Sequence, residues 1–262
     1  MIDNNRGNIL SSTPPVTRNL IIINVLLWLV VAVGHYSGAS MQHFSDFLVD
    51  KLGLHFWGSN GFHPGDFVTY MFMHDPDNPM HIIFNMFTLW MFGRAMERVW
   101  GSARFLVFYF VCGIGAALVQ EIVWQLTWLN EMSSALGSLN GITTEHMRQM
   151  IEQGLSTDNM EVTSAVATFK NRMITIGASG AIFGVLLGFA FVFPNLPLYL
   201  FFIPVPIKAK YMVVGYAVLE FFLGISNGGS TVAHFAHLGG MLFGLILLLY
   251  WKKKGTLGGR IY

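Results

Sequence analysis

Two residues that could act together in nucleophilic chemistry lie in strongly apolar surroundings. Ser179 is the serine of a Gly-Ala-Ser-Gly stretch at the start of one apolar run, and His237 lies in an Ala-His-Leu-Gly-Gly stretch at the start of another. Polar and ionisable side chains are costly inside a membrane, so those that occur there are candidates for function. A serine and a histidine at matching depth suggest a nucleophile and its base.

The composition indicates a membrane protein. Of the 262 residues, 53% are hydrophobic and only 11% are charged, against about 25% charged residues in soluble domains. The mean hydropathy is +0.54. The single cysteine, Cys112, excludes an intrachain disulfide, and a net charge of +1 gives no reason to expect a nucleic-acid partner.

Six apolar segments are long enough, or nearly so, to cross a bilayer, which takes about 20 residues. The first and fifth are short, and the first could be the core of a signal peptide, although the segment before it is long and polar. We predict an all-α, polytopic bundle of six transmembrane helices. The segments are Leu20–Gly34, Met80–Val99, Ala103–Thr127, Met173–Phe193, Tyr211–Ile225 and Val232–Trp251.

The distribution of lysine and arginine predicts the orientation of these segments. Because cytoplasmic loops are rich in Lys and Arg, the side that holds eleven of the fifteen is predicted to be cytoplasmic, with both termini on it. The inner residues are Arg6, Arg18, Arg94, Arg98, Arg104, Lys208, Lys210, Lys252, Lys253, Lys254 and Arg260. The outer residues are Lys51, Arg148, Lys170 and Arg172.

The outer stretches carry structure of their own. Residues 41–51 have apolar side chains at helical spacing and predict an amphipathic helix at the membrane interface. Within an insertion at residues 128–172, we predict one helix over Thr143–Leu155 and another that starts at Asp158, with Glu161 completing a capping box. The chain thus divides into a cytoplasmic segment (1–19), a membrane domain (20–251) that contains this insertion, and a basic cytoplasmic tail (252–262).

Four polar residues from three helices are predicted to meet in the outer leaflet. His81 and Asn85 lie in the first turns of the second segment, and Ser179 and His237 lie near the outer ends of the fourth and sixth. Six helical residues descend only about 9 Å, so all four lie at a similar depth. Spacing and topology alone predict this convergence.

Glycines at four-residue spacing favour close packing of the fourth and sixth segments. Small residues at this spacing let two membrane helices approach backbone to backbone. Such packing would bring Ser179 and His237 within hydrogen-bond distance, ~2.6–3.2 Å. Phe183, one turn after Ser179, is placed to pack on the His237 ring. The glycines are Gly180, Gly184 and Gly188 in the fourth segment and Gly240 and Gly244 in the sixth.

Each polar residue also has an ordinary structural explanation. A membrane serine commonly bonds a carbonyl of its own helix. Asn85 alone could simply join helices, and His237 alone could be a buried hydrogen-bonded histidine, a proton-relay group or a haem ligand. His234, one turn before His237, is a second candidate base. Glu220 in the fifth segment could pair with a polar neighbour or contact His237 as the third member of a triad.

A transporter or a redox protein is the alternative to a hydrolase. The histidines His74, His81, His234 and His237 could then carry protons or bind haem or metal. Against a transporter, the sequence lacks paired charged residues along a transport path. It also lacks the HExxH motif of zinc proteases. The joint placement of the polar residues therefore favours a hydrolytic site.

At three blocks the chain resembles the rhomboid family of intramembrane serine proteases. The blocks are an HxxxN pattern followed by G…E…G, a GxSG pattern, and an AHxxGxxxG pattern, and their order and helix positions fit as well. The resemblance covers roughly residues 20–251 apart from the insertion. The matching residues are His81, Asn85, Gly93, Glu97 and Gly101, then Gly177–Gly180, then Ala236–Gly244.

This resemblance implies a six-helix rhomboid-like bundle and a serine endopeptidase with a Ser179–His237 dyad. The implied oxyanion hole comprises His81, Asn85 and the backbone N–H of Ser179, and Phe183 stands where the family often has tyrosine. The implied substrates are single-span or multi-span membrane proteins, cut near the outer leaflet of the lipid bilayer, with the fifth segment as a lateral gate.

The resemblance implies no metal ion and no organic cofactor. We expect a multi-pass protein of a bacterial inner membrane with its site opening to the outer side. A catalytically silent, client-binding relative is the alternative within the family.

Overall fold

Helices dominate the described part of the computed structural model, which comprises residues 12–200, 203–226 and 231–257. Two short antiparallel sheets pair β1 with β2 and β3 with β4. The helices are α1 (Pro15–Tyr36), α2 (Ala39–Leu52), α3 (Asp66–Thr69), α4 (Pro79–Thr88), α5 (Arg94–Trp100), α6 (Ser102–Asn140), α7 (Thr144–Ser156), α8 (Met160–Asn171), α9 (Ser179–Val192), α10 (Ala209–Ile225) and α11 (Thr231–Lys253). The strands are β1 (Leu54–His55), β2 (Ile174–Thr175), β3 (Pro197–Leu200) and β4 (Ile203–Lys208). Arg6, Arg260 and most of the predicted turn at 226–231 lie outside the described residues.

The helices form the predicted membrane bundle. Among the described residues, α1, α6 and the His234–Lys253 part of α11 are each long and apolar enough to cross a membrane. The second predicted segment is a continuous helical run from Pro79 to Trp100, in which a π-helical turn at Leu89–Gly93 joins α4 to α5. The helices α9 and α10 are shorter, with 14 and 17 residues. The all-α fold class is confirmed.

The start of the fourth segment was predicted six residues too early. The helix α9 begins at Ser179 rather than Met173, because the intervening backbone is used in tertiary pairing. Thr175 pairs with Leu54 and Ile174 with His55 in the β1–β2 sheet. This sheet attaches the loop before α9 to the first outer stretch of the chain.

The insertion is more helical than predicted. The helix α6 runs 39 residues to Asn140, about 58 Å, so it extends well beyond a hydrocarbon core of about 30 Å. The next two helices begin close to the predicted positions, with Thr143 capping α7. The predicted cap of α8 was wrong by one residue, because the Asn159 side chain, not Asp158, accepts the Glu161 and Val162 N–H groups.

These helices enclose a small core separate from the membrane bundle. Its buried members are Met132, Met147, Ile151 and Val166. The Lys170 ammonium lies 4.0 Å from the centroid of the Trp128 ring, which joins α8 to α6 by a cation–π contact. The insertion is therefore a folded helical elaboration rather than a loop.

Glu97 connects helices by hydrogen bonds at the end of the bundle that carries most of the arginines. Its buried carboxylate accepts hydrogen bonds from the Val16 N–H at 2.9 Å and from the N–H and hydroxyl of Thr17 at 2.7 and 2.8 Å. It also accepts the Ser102 hydroxyl at 2.7 Å. Because the first N–H groups of a helix lack intrahelical partners, Glu97 acts as a cap for α1 supplied from another helix.

Both described chain ends lie at this same end of the bundle. The Arg98 guanidinium donates to the Ser12 carbonyl just before α1, and the Arg104 guanidinium donates to the Thr256 carbonyl just after α11. Arg98 and Arg104, two of the arginines assigned to the same side, thus contact both described chain ends.

The closest helix packing occurs between α9 and α11. A Cβ atom placed on Gly240 would collide with the backbone carbonyl of Gly180, and one placed on Gly184 would collide with the Cys112 side chain of α6. The helices α9 and α11 therefore touch at their backbones, as the glycine spacing predicted, and α6 packs against α9 through the Cys112 side chain.

Gly240→Ala should destabilise the protein strongly, because the backbone carbonyl of Gly180 cannot move away without separating α9 from α11. We expect a loss of about 3 kcal/mol or more, or roughly 10 °C in the thermal midpoint in detergent. Gly215→Ala is the matched control, because a Cβ there meets no atom within 4 Å. Equal midpoints for the two variants would contradict this packing.

Candidate active site

Ser179 is the first residue of α9, and the conformation and hydrogen bond of Gly177, two residues earlier, fix its backbone. Gly177 has φ +132°, a backbone conformation that residues with a Cβ rarely adopt. Its N–H donates to the Tyr70 carbonyl at 2.9 Å. The Tyr70 hydroxyl in turn donates to the Gly113 carbonyl of α6 at 2.7 Å. The serine is therefore held at a helix N-terminus, where unpaired N–H groups and a partial positive charge are available.

The Ser179 hydroxyl and the His237 ring are in direct contact. Ser179 Oγ lies 2.8 Å from His237 Nε2, across the glycine-lined contact of α9 with α11. Both residues are partly exposed. If Nε2 accepts the hydroxyl proton, the imidazole has the geometry of a general base for this serine.

An aromatic ring holds the imidazole in place. Phe183 lies parallel to His237, with ring centroids 4.2 Å apart and an interplanar angle of 5°. The sequence predicted this neighbour from its one-turn spacing. Tyr216 of α10, which the sequence analysis did not single out, packs edge-on against Phe183 at 6.3 Å.

His81 lies on the other side of the serine. A Cβ placed on Gly177 would lie 2.9 Å from His81 Nε2 and 3.7 Å from Ser179 Oγ, so both polar atoms lie beside the same stretch of backbone. Asn85 follows His81 by one turn on α4 and is 93% buried. His81 is thus close to the serine, and Asn85 lies one turn further along the same helix.

His74 packs behind His81, with ring centroids 5.0 Å apart. Burial, and secondarily the charge of His81, lower the pKa of His74 to about 3. His74 is therefore neutral at physiological pH and contributes to packing rather than charge.

Glu220 of α10 contacts both histidines of α11. Its Oε2 lies 2.6 Å from His234 Nδ1 and 3.0 Å from His237 Nδ1. The contact with His237 is close but does not meet the geometry of a hydrogen bond. The sequence marked Glu220 as a possible partner of His237, but only the fold shows that it reaches both rings.

A carboxylate beside Nδ1 favours the tautomer that keeps the proton there and leaves the Nε2 lone pair free for Ser179. His234 is hydrogen-bonded to Glu220 and does not contact the serine in this arrangement. Among the described residues, one group of three could hold a metal ion: the ligand atoms of Glu220, His234 and His237 lie within 4.8 Å of one another.

A cavity of about 1570 Å³ lies between the insertion and the ends of α10 and α11. Gly224, one turn after Glu220, and Phe235, next to His234, are among its lining residues. The cavity also borders α6 and α8 through Thr127, Glu131 and Phe169.

The chain was compared with models of protein families. The family model described as "Rhomboid domain" matches residues 62–254, which include Ser179, His237, His81 and Asn85 and leave out α1. A comparison with curated proteins gave no match.

Glu220→Gln should slow the reaction of Ser179 with a fluorophosphonate probe by roughly 10- to 100-fold, the effect of losing one charged contact. The amide keeps the shape of the side chain but stabilises a protonated His237 less well. The measurement is the second-order labelling rate in detergent, with the exposed Glu152→Gln as the control. An unchanged rate with an unchanged thermal midpoint would remove Glu220 from the site.

Proposed function

The chain belongs to the rhomboid family, and we propose that it is an intramembrane serine endopeptidase that cleaves transmembrane helices near the outer leaflet. It is an integral membrane protein of the lipid bilayer with several spanning helices. The observation that carries the proposal is the 2.8 Å contact between Ser179 Oγ and His237 Nε2.

The proposed reaction begins when His237 Nε2 takes the hydroxyl proton and Ser179 Oγ attacks the substrate carbonyl. The resulting tetrahedral intermediate collapses when His237 returns the proton to the leaving amine, which leaves an acyl-enzyme. Water then attacks the ester with His237 again as base. The stacked Phe183 and the adjacent Glu220 would keep the imidazole in the orientation and tautomer that this sequence needs.

His81, Asn85 and the Ser179 N–H are the proposed donors to the oxyanion. The position of His81 Nε2 beside Gly177 and Ser179 supports this role, and Asn85 continues the same face of α4. The N-terminus of α9 adds a partial positive charge where the negative charge develops.

The proposed substrates are single-span or multi-span membrane proteins whose helix unwinds near the outer surface. A regular helix hides its carbonyls in its own hydrogen bonds, so helix-breaking residues and a small residue before the cut should favour cleavage. Entry beside α10 is supported by its outward face, where Val214, Val218 and Phe222 are exposed. No step of this mechanism needs a metal or organic cofactor.

We propose that both termini are cytoplasmic and that Ser179 opens to the outer side. The contacts of Arg98 and Arg104 with both described chain ends support a shared side, and the excess of Lys and Arg there supports the cytoplasm. Residues 20–251 would form the membrane domain, with the insertion outside. A client-binding role without cleavage is less well supported, because serine and histidine are both present and in contact.

Ser179→Ala and His237→Ala should each abolish cleavage of a fluorescent single-span substrate in liposomes, since one removes the nucleophile and the other its base. The wild-type protein should yield the two fragments on a gel, and neither of these two variants should. Ser226→Ala, which changes an exposed outer serine, and His43→Ala are the matched controls. Cleavage that persists in Ser179→Ala would reject the proposed nucleophile.

His81→Ala and Asn85→Ala should each lower kcat by about 10²–10³-fold, or ~2.7–4 kcal/mol in the barrier, with KM changed much less. The donors stabilise charge that exists only in the transition state, which is why kcat carries the effect. Initial rates across substrate concentrations give both constants. A rise in KM at constant kcat would show that these residues bind substrate instead.

A further inference from the structure

Glu220, His234 and His237 form a compact cluster behind the proposed catalytic pair. One carboxylate oxygen contacts both Nδ1 atoms, at 2.6 and 3.0 Å, from a different helix. The side chains are neither exposed nor sealed, with relative exposures of 12%, 20% and 16%. Gly224, one turn from Glu220, and Phe235, next to His234 in the chain, line a cavity between the insertion and the ends of α10 and α11.

We propose that this cluster binds Zn²⁺ and that the bound ion inhibits the enzyme reversibly. The inhibitory half rests on the proposed function, since it concerns His237 as the base. The binding half stands on the cluster alone. The ion would be a regulator and not a cofactor of the reaction.

The ligand set suits zinc. Two imidazole nitrogens and one carboxylate oxygen, with water in a fourth position, are a common zinc environment. Bond lengths near 2.0–2.2 Å in a tetrahedral site put ligand atoms about 3.3 Å apart. The three atoms here lie within 4.8 Å of one another, so side-chain rotations would suffice to surround an ion.

An ion would also improve the pairing of His237 Nδ1 with Glu220. His237 Nδ1 is buried and has no aligned hydrogen-bond partner among the described residues, although Glu220 Oε2 is 3.0 Å away. Buried polar atoms are rarely left without an aligned partner. An ion between Nδ1 and the carboxylate would satisfy both.

Zinc coordination would inhibit the enzyme because it changes which nitrogen of His237 carries the proton. Nδ1 can bind zinc only through its lone pair, so a neutral ring must move its proton from Nδ1 to Nε2, with solvent as the carrier. No proton is gained or lost overall. Nε2 then donates to Ser179 Oγ and can no longer accept its proton, so the serine loses its base.

Binding is measured first, in the Ser179→Ala protein, which keeps all three ligands and needs no turnover. Titration with ZnCl₂ by calorimetry in detergent should give one site per chain. Adding His234→Asn should weaken zinc binding at least about tenfold, because even the loss of a residue that only supports a metal ligand has an effect of this size. His146→Asn, an exposed histidine of the insertion, should leave it unchanged.

Cobalt gives an independent readout. Co²⁺ bound by two imidazoles and a carboxylate should show visible absorption that His234→Asn and Glu220→Gln both remove. Equal zinc affinity in the Ser179→Ala and Ser179→Ala/His234→Asn proteins, with equal thermal midpoints, would overturn the site. If His234→Asn lowers the midpoint, His234→Gln repeats the comparison.

Inhibition is measured on the wild-type protein with the fluorescent substrate. Zinc should suppress cleavage, and EDTA should restore it. The His234→Asn protein should need at least about tenfold more zinc to reach half of its own zinc-free rate. Activity that EDTA abolishes and zinc restores would overturn the inhibitory role. Zinc binding without any cleavage in EDTA would instead reject the proposed function and leave the site standing.

Discussion

The backbone contact between α9 and α11 is the constraint on which the rest of the structure depends. Gly240 approaches the Gly180 carbonyl so closely that no side chain fits between them. This contact sets the separation of the two helices that carry Ser179 and His237. A side chain at Gly240 would push the two helices apart and disturb the 2.8 Å contact between Ser179 Oγ and His237 Nε2.

Polar contacts at both ends of the bundle keep this arrangement in register. At one end, Glu97 caps α1 and accepts the Ser102 hydroxyl, so the first and third spans are joined through the second. Near Ser179, the β1–β2 sheet and the hydrogen bond from Gly177 to Tyr70 fix the backbone that leads into the serine. In each case a buried polar group bonds to another part of the protein, as an apolar environment requires.

Much of the fold and site could be predicted because the relevant signals are local. Apolar length predicted the spans, glycine spacing predicted the close helix pair, and the one-turn spacing of Phe183 predicted its position on the imidazole. The missed features depend on contacts between distant residues. The β2 strand forms only because Leu54 and His55 lie beside it. Likewise, no local pattern shows that Glu220 would face two histidines from another helix.

The helix α6 has a consequence for how the protein senses its surroundings. One rigid rod of 39 residues is packed against α9 and α11 within the membrane and carries the insertion core on its protruding end. Because a helix adjusts to bilayer thickness by tilting, a thinner or thicker membrane would swing this rod as a lever. A tilt of a few degrees at the bilayer becomes a displacement of roughly 2–3 Å at the tip. We therefore expect the position of the insertion core relative to the lipid surface to change with bilayer thickness.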